Sequence, residues 1–274
     1  MLEINPGSIQ RLRSMKAFAM DMDGTVYLGG RLLPGAREFK DFLDGRGVPF
    51  VFLTNNSSRG RSDFLDRLTK MGLSVCEQNI MTSGEATIDY LRVQYPDATI
   101  RLFGTPSLDK EFQEAGIRLC GADDGADIVV LGFDTTLTYD RLWELCDRVR
   151  RKTPFIATHP DINCPVEDGY MPDVGSFLAL IKASTGRVPD AVIGKPSKWM
   201  TAALSSRLGQ RPCDIAYVGD RLYTDTAMAR DSGMLAVLTL TGEASVEDLE
   251  GSGIQPDLVV DDLVELMEVY TFDQ

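Results

Sequence analysis

Short apolar runs alternate with amphipathic stretches along most of the chain. Residues 17–20, 48–53, 190–193, 215–218 and 235–240 are apolar nearly throughout and predict strands buried on both faces. Between them, 35–44, 61–71, 198–208 and 224–232 carry apolar positions at helical spacing. Strands of this kind separated by helices predict a mostly parallel sheet joined by right-handed crossovers. The middle of the chain repeats the pattern. There, 100–103, 128–131 and 155–157 predict strands and 108–114 and 139–150 predict helices, with Leu142, Leu145 and Val149 on one face of the last. That block has enough elements for a small α/β domain of its own, although no Gly/Ser linker, internal repeat or low-complexity tract marks its edges.

Composition narrows the classes of function. The 274 residues are 43% hydrophobic and 25% charged, which supports a packed core and excludes a disordered chain. The net charge of −13 is unevenly spread: no Lys or Arg follows Arg230, and 231–273 holds 11 acidic residues. An acidic chain without a basic stripe argues against nucleic acid or an anionic membrane as partner. No apolar stretch approaches the roughly 18 residues of a membrane span, and the N-terminal segment has no secretory apolar region. Five cysteines with no C-x-x-C pair suit buried free thiols in a reducing compartment. The expectation is a soluble, cytoplasmic protein.

Four strand-like runs end in polar residues that could do chemistry. They lead into Asp21-Met22-Asp23-Gly24-Thr25, Thr54-Asn55-Asn56, Gly194-Lys195-Pro196, and Gly219-Asp220 with Asp225 five residues on. Ligands of open α/β sheets bind outside the carboxyl ends of the strands, so parallel strands are expected to bring all four groups to one edge. Residues i and i+2 of an extended chain point to the same side, which lets Asp21 and Asp23 face one pocket. Close carboxylates repel unless a cation or a shared proton intervenes. A hard divalent ion such as Mg²⁺, with Asp220 as a third carboxylate, would relieve that repulsion. Asp-Gly is also a common turn after a strand, and only the other three strand ends tip the balance toward a site.

Taken together, these residues resemble the four-motif signature of the haloacid dehalogenase superfamily of phosphohydrolases. Segments 53–58, Gly132-Phe133-Asp134, 157–161, 194–197 and 219–225 are similar to the NagD-like and p-nitrophenyl phosphatase subfamily, which includes pyridoxal phosphatase and phosphoglycolate phosphatase. The likeness runs from about residue 16 to 262. It implies an α/β fold: a Rossmann-like parallel-sheet core, residues 1–83 and 186–274, with an inserted α/β cap domain of type IIA, residues 84–185. It also implies roles. Asp21 would attack phosphorus and form an aspartyl-phosphate; Asp23 would protonate the leaving alkoxide and then deprotonate the attacking water. Thr54, the backbone at Asn55, and Lys195 would bind the phosphoryl group. Mg²⁺ would be held by Asp21, the Asp23 carbonyl and Asp220, with Asp225 orienting its waters or Lys195 from behind. An Asp at position 23 favours a phosphatase over a dehalogenase, which has no alkoxide to protonate, and over P-type ATPases, which carry Thr there.

Other machinery is absent. Pro189 stands five residues before Gly194, so no P-loop forms, and no cysteine has an arginine six positions on. His159 is the only histidine, and no G-x-S-x-G elbow accompanies it. It occupies a position where many relatives have Asn, at the start of a turn-rich stretch, 158–176, that holds Asp161, Asn163, Glu167, Asp168 and Asp173. In the family this stretch faces substrate, so His159, Asp161 and Asn163 are candidate specificity residues; a capping or surface role for His159 is the alternative. The resemblance implies a small phosphorylated metabolite as substrate, with sugar phosphates favoured over nucleoside monophosphates, pyridoxal phosphate or phosphoglycolate. Two rival activities are a phosphotransferase and a non-enzymatic, receiver-like phospho-acceptor. Relatives often dimerise through the cap, so a homodimer is compatible. Trp143 and Trp199 read as packing residues, and Met20 and Met22 as facing the core.

Overall fold

The chain, described over residues 5–166 and 169–271 by a computed structural model, builds two parallel sheets from the apolar runs. It divides into two units: Met1–Thr54, Leu65–Met81 and Thr201–Gln274 form the first, Asn55–Phe64 and Thr82–Met200 the second. The α/β class expected from the pattern is the class observed.

The six-stranded sheet runs in the order Leu258–Val260, Leu235–Thr239, Ile215–Gly219, Ala17–Asp21, Phe50–Thr54, Ile80–Thr82. The four strands in its middle are buried at every position, as parallel strands covered on both faces must be. Ala17–Asp21 lies where the order reverses. One neighbour, Phe50–Thr54, follows it in the chain; the other, Ile215–Gly219, comes from the last quarter. Such a switch point opens a crevice at the carboxyl ends of the two strands that diverge from it. Register fixes what stands there. Met20 pairs with Val218 on one side and Asp21 with Leu53 on the other, so Asp21, Gly219 and Thr54 close three adjacent strands.

The helix Ala36–Arg46 shows how local sequence serves this sheet. It buries Ala36, Phe39, Lys40 and Leu43, the spacing of one helical face. Phe39 meets Phe18 of the central strand edge to face, with centroids 5.3 Å apart, and Tyr270 of the helix Leu263–Thr271 packs on Phe18 and Phe42, each at 5.6 Å. Gly47 ends the helix in the left-handed conformation, φ 66°. Gly35 starts it at φ 78°, with the main chain at Leu263 and Val264 directly against its α-carbon.

The second unit holds the five-stranded sheet Ala191–Val192, Phe155–Ala157, Ile128–Leu131, Thr99–Phe103, Arg118–Leu119, every pairing parallel. Phe103, Val129, Leu131 and Phe155 pack with Leu145 and Val149 of the helix Tyr139–Arg150 and with Val174 and Ile181 of Val174–Thr185.

Several expectations need correcting. Ala191–Val192, which precedes Lys195, belongs to this second sheet, so only three of the four polar strand ends share one sheet edge. The stretch read as loop forms an exposed hairpin, Asn163–Val166 against Gly169–Pro172; Glu167 and Asp168 lie outside the described residues. The helix expected over 224–232 opens as a π-helical turn, Leu222–Thr226, before Ala227–Ser232. Trp143 is 66% exposed, because it lies off the face carrying Leu145 and Val149. Of the five free thiols only Cys146 is buried. Among the described residues no helix is long and apolar enough to cross a membrane.

Replacing Gly35 with Ala should destabilise the protein by about 2 kcal/mol or more, from the left-handed backbone and the main-chain clash together. A chemical denaturation midpoint unchanged from wild type would contradict this.

Candidate active site

Asp21 ends the central strand at 5% exposure, and the chain after it turns sharply. The N–H groups of Val26 and Tyr27 both donate to the Met22 carbonyl, at 2.9 and 3.0 Å, and Gly24 adopts φ 90°. The turn brings the Tyr27 hydroxyl back to donate to Asp23 Oδ2 at 3.0 Å. Tyr27 is buried, and the Arg67 guanidinium lies over its ring at 4.4 Å. Burial first, then the charge of Asp23, lift the phenol well above its usual pKa of 10.0, so it stays a donor to that carboxylate. Met20 and Met22, alternating with the two aspartates, face the core.

Asp220 follows the neighbouring strand. Its Oδ2 accepts the Glu243 N–H at 2.8 Å and its Oδ1 the Thr25 hydroxyl at 3.5 Å. Gly24 and Gly242 close over this carboxylate so tightly that a Cβ on either would collide with it. Asp225, on the π-helical turn, accepts the Tyr217 hydroxyl and the Arg221 N–H, both at 3.2 Å, and occupies the space a side chain on Gly219 would need. Each of Asp21, Asp220 and Asp225 is buried and offers a carboxylate oxygen, the three lying within 4.8 Å of one another. Two unit charges at that distance repel by about 3–4 kcal/mol at an effective dielectric constant of about 20. Arg221 offsets part of this. Burial pulls its pKa down, but Asp21, Asp220, Asp225 and Glu243 together raise it, and its Nε pairs with Glu243 at 3.0 Å. A set of hard oxygen donors, buried and still negative in sum, fits a divalent cation.

The remaining motif residues belong to the second unit, except Thr54, which closes its strand at 4% exposure. Asn55 and Lys195 clasp each other: the Lys195 N–H donates to Asn55 Oδ1 at 2.7 Å, and Asn55 Nδ2 donates to the Lys195 carbonyl at 3.1 Å. Asn55 Nδ2 also donates to Asp161 Oδ1 at 2.9 Å, and the Ser83 hydroxyl to the Asn55 carbonyl. His159, fully buried, faces Asp173 Oδ1 through Nε2 at 2.9 Å. Burial alone would lower its pKa; the charge and hydrogen bond of Asp173, with Asp161 in support and Lys195 opposing, raise it above 6.5. Asn163 stands on the exposed hairpin, opposite Pro172.

Reading the sequence alone missed Tyr27, Arg221, Ser83 and Gly242. Arg221, directly after Asp220, was open to notice as a cation beside the acids. Ser83 and Gly242 carry no local signal, because their roles come from packing across the fold.

Comparison with known proteins identifies the lineage. Residues 18–118 match the haloacid dehalogenase-like hydrolase family, and 192–266 match a HAD-hydrolase-like family. The acid sugar phosphatase of Staphylococcus aureus is 32% identical over 254 residues, 93% of this chain and 97% of that protein. The crystal structure of a 4-nitrophenylphosphatase from Thermotoga maritima superposes with a TM-score of 0.91 at 43% identity, covering 95% of this chain and 99% of that one. NagD of E. coli K-12 gives 0.85 at 28% identity over 95% and 99%. The chain belongs to the NagD-like branch of the haloacid dehalogenase superfamily. It is a phosphoric monoester hydrolase, built as a Rossmann-like core with an inserted α/β cap, and phosphatases of this superfamily generally use a divalent metal ion.

Two consequences are measurable. Gly242→Ala should push the Asp220 carboxylate aside and weaken divalent-cation binding by about 10-fold or more in calorimetric titration, with the circular dichroism spectrum retained. Because the pKa of His159 is raised on folding, its contribution to stability is complete below pH 6.5 and is lost as pH rises through the elevated value. The difference in melting temperature between wild type and His159→Gln should therefore shrink as pH rises through that window; a constant difference would contradict the assignment.

Proposed function

We propose that this chain is a Mg²⁺-dependent phosphomonoesterase that hydrolyses small phosphorylated metabolites, sugar phosphates foremost, through an aspartyl-phosphate on Asp21. The observation that carries the reading is the buried cluster of Asp21, Asp220 and Asp225 at the switch point, with Asp23 held two residues from Asp21 by Tyr27. The sugar-phosphate preference is supported by the S. aureus acid sugar phosphatase, which aligns along almost the whole of both chains.

In the first half-reaction an Asp21 oxygen attacks phosphorus in line. The bond from phosphorus to the ester oxygen breaks, and the departing alkoxide takes the proton of Asp23 and leaves as an alcohol. In the second, the Asp23 carboxylate takes a proton from water. The oxygen of that water bonds to phosphorus as the bond to Asp21 breaks, which releases inorganic phosphate and restores both aspartates. Tyr27 keeps the Asp23 carboxyl aimed in both protonation states, since its hydroxyl can donate to either. The Thr54 hydroxyl, the Asn55 backbone and the Lys195 ammonium are assigned to the phosphoryl oxygens. Asp21, the Asp23 carbonyl and Asp220 would hold Mg²⁺, with Asp225 behind them, and the ion when bound would supply positive charge to the phosphoryl group.

Phosphate release should be measured on a panel of sugar phosphates, other small phosphomonoesters and p-nitrophenyl phosphate, with Mg²⁺ and with EDTA. Turnover should require metal and should vanish in Asp21→Asn. Asp23→Asn should lower kcat by about 10²–10⁴-fold for sugar phosphates, and far less for p-nitrophenyl phosphate, whose leaving group departs without a proton. Equal losses on both substrates would remove Asp23 from the acid role. Turnover that survives Asp21→Asn would overturn the covalent mechanism.

A further inference from the structure

The sole histidine has no exposed surface and stands where the strand Phe155–Ala157 has just ended. Its hydrogen-bond partners bear directly on its protonation. Nε2 lies 2.9 Å from Asp173 Oδ1, an oxygen that also accepts the Val174 N–H at 2.6 Å; an ionised carboxylate only accepts, so Nε2 carries a proton. Nδ1 lies 3.3 Å from Ser83 Oγ and 3.0 Å from Thr158 Oγ1. Ser83 has one hydroxyl proton, and it is directed to the Asn55 carbonyl. Toward Nδ1 the Ser83 oxygen therefore offers only lone pairs, so that contact is a hydrogen bond when Nδ1 donates. Thr158 fits this when its hydroxyl donates to Ser57 Oγ at 2.9 Å; turned instead to Nδ1, with Ser57 donating to Thr158, it would leave the ring neutral. A ring that donates from both nitrogens is an imidazolium.

The charged groups around it agree. Asp173 heads the helix Val174–Thr185, Asp161 lies two residues beyond the ring on the same segment, and Lys195 approaches from the turn after Ala191–Val192. The two carboxylates favour the charged ring and outweigh both the lysine and the cost of burial.

We propose that His159 is a positioning residue of the phosphatase: as an imidazolium paired with Asp173, it holds the Ser83 hydroxyl onto the Asn55 carbonyl and so sets the peptide of the phosphate-binding segment. The proposal rests on the assignment of Asn55 and Lys195 to phosphate made above. The connection is tight. Asn55 is clasped to the Lys195 main chain, and a Cβ on Gly194 would lie 2.6 Å from both Asn55 Oδ1 and His159 Cβ, so none of the three can shift alone. His159 acts from beneath the segment and needs no contact with substrate.

With a single histidine, a long-range ¹H–¹⁵N spectrum of the uniformly labelled protein shows one imidazole and needs no assignment. At pH 7 both ring nitrogens should appear protonated, and Asp173→Asn should shift the ring toward a neutral tautomer. In kinetics, His159→Gln and Ser83→Ala should each lower kcat/KM and raise the inhibition constant of inorganic phosphate by about tenfold, the worth of one well-placed hydrogen bond. Because one acts through the other, the double variant should lose little more than either single variant. A ring with one bare nitrogen at pH 7 would overturn the proposal, as would fully additive losses. If His159→Gln does not fold, Ser83→Ala, which leaves the ring in place, carries the kinetic arm. A wild-type protein without turnover on any phosphoester would instead defeat the phosphatase reading, while the spectrum would still decide the charge of the ring.

Discussion

Gathering like charge in a buried place is the constraint on which the first unit depends. Asp21, Asp220 and Asp225 are brought within 4.8 Å of one another by the register of two strands and one turn, against their mutual repulsion. The surrounding structure is arranged to tolerate this. Donors reach Asp220 from the Glu243 N–H and Thr25, and Asp225 from Tyr217 and the Arg221 N–H. Glycines at 24, 219 and 242 surrender their side chains so that carboxylates fill the space. Loss of any one of these would leave a charge with fewer partners in a place water does not easily reach.

The parts of this arrangement that were readable in the sequence are those set by local rules. A strand with no polar residue until its last position, then Asp-x-Asp-Gly, announces both the element and its functional end. Strands 128–131 and 155–157 and helices 139–150 and 198–208 were bounded correctly because their apolar periodicity runs to their ends. Lys195 was harder. It follows an apolar run like the others, and nothing local reveals that Ala191–Val192 pairs with Phe155–Ala157 in a different sheet. The hairpin at 163–172 was hidden for another reason: it has two prolines in its strands and no buried residue, so it lacks the alternation by which strands are recognised.

Site residues divide along the same line. Asp21, Asp23, Asp220 and Asp225 sit in compact motifs with glycine beside them, and spacing alone draws attention to them. Tyr27 reaches Asp23 only because the turn at Gly24 reverses the chain. Ser83 reaches Asn55 across 28 residues, and Gly242 meets Asp220 across 22, through tertiary packing that a linear pattern does not encode.

Charge distinguishes the two halves of the machinery. In the first unit three buried carboxylates face one largely buried guanidinium, Arg221, whose other partner, Glu243, is half-exposed and screened by water. Asp23 adds a further carboxylate two residues from Asp21, and an arrangement this rich in buried carboxylate oxygen would suit a divalent cation. In the second unit Asp173 and Asp161 favour the charged form of His159, the imidazolium inferred above, while Lys195 opposes it. The protonated histidine would thus do in one unit, by side-chain chemistry alone, what a divalent cation would do in the other.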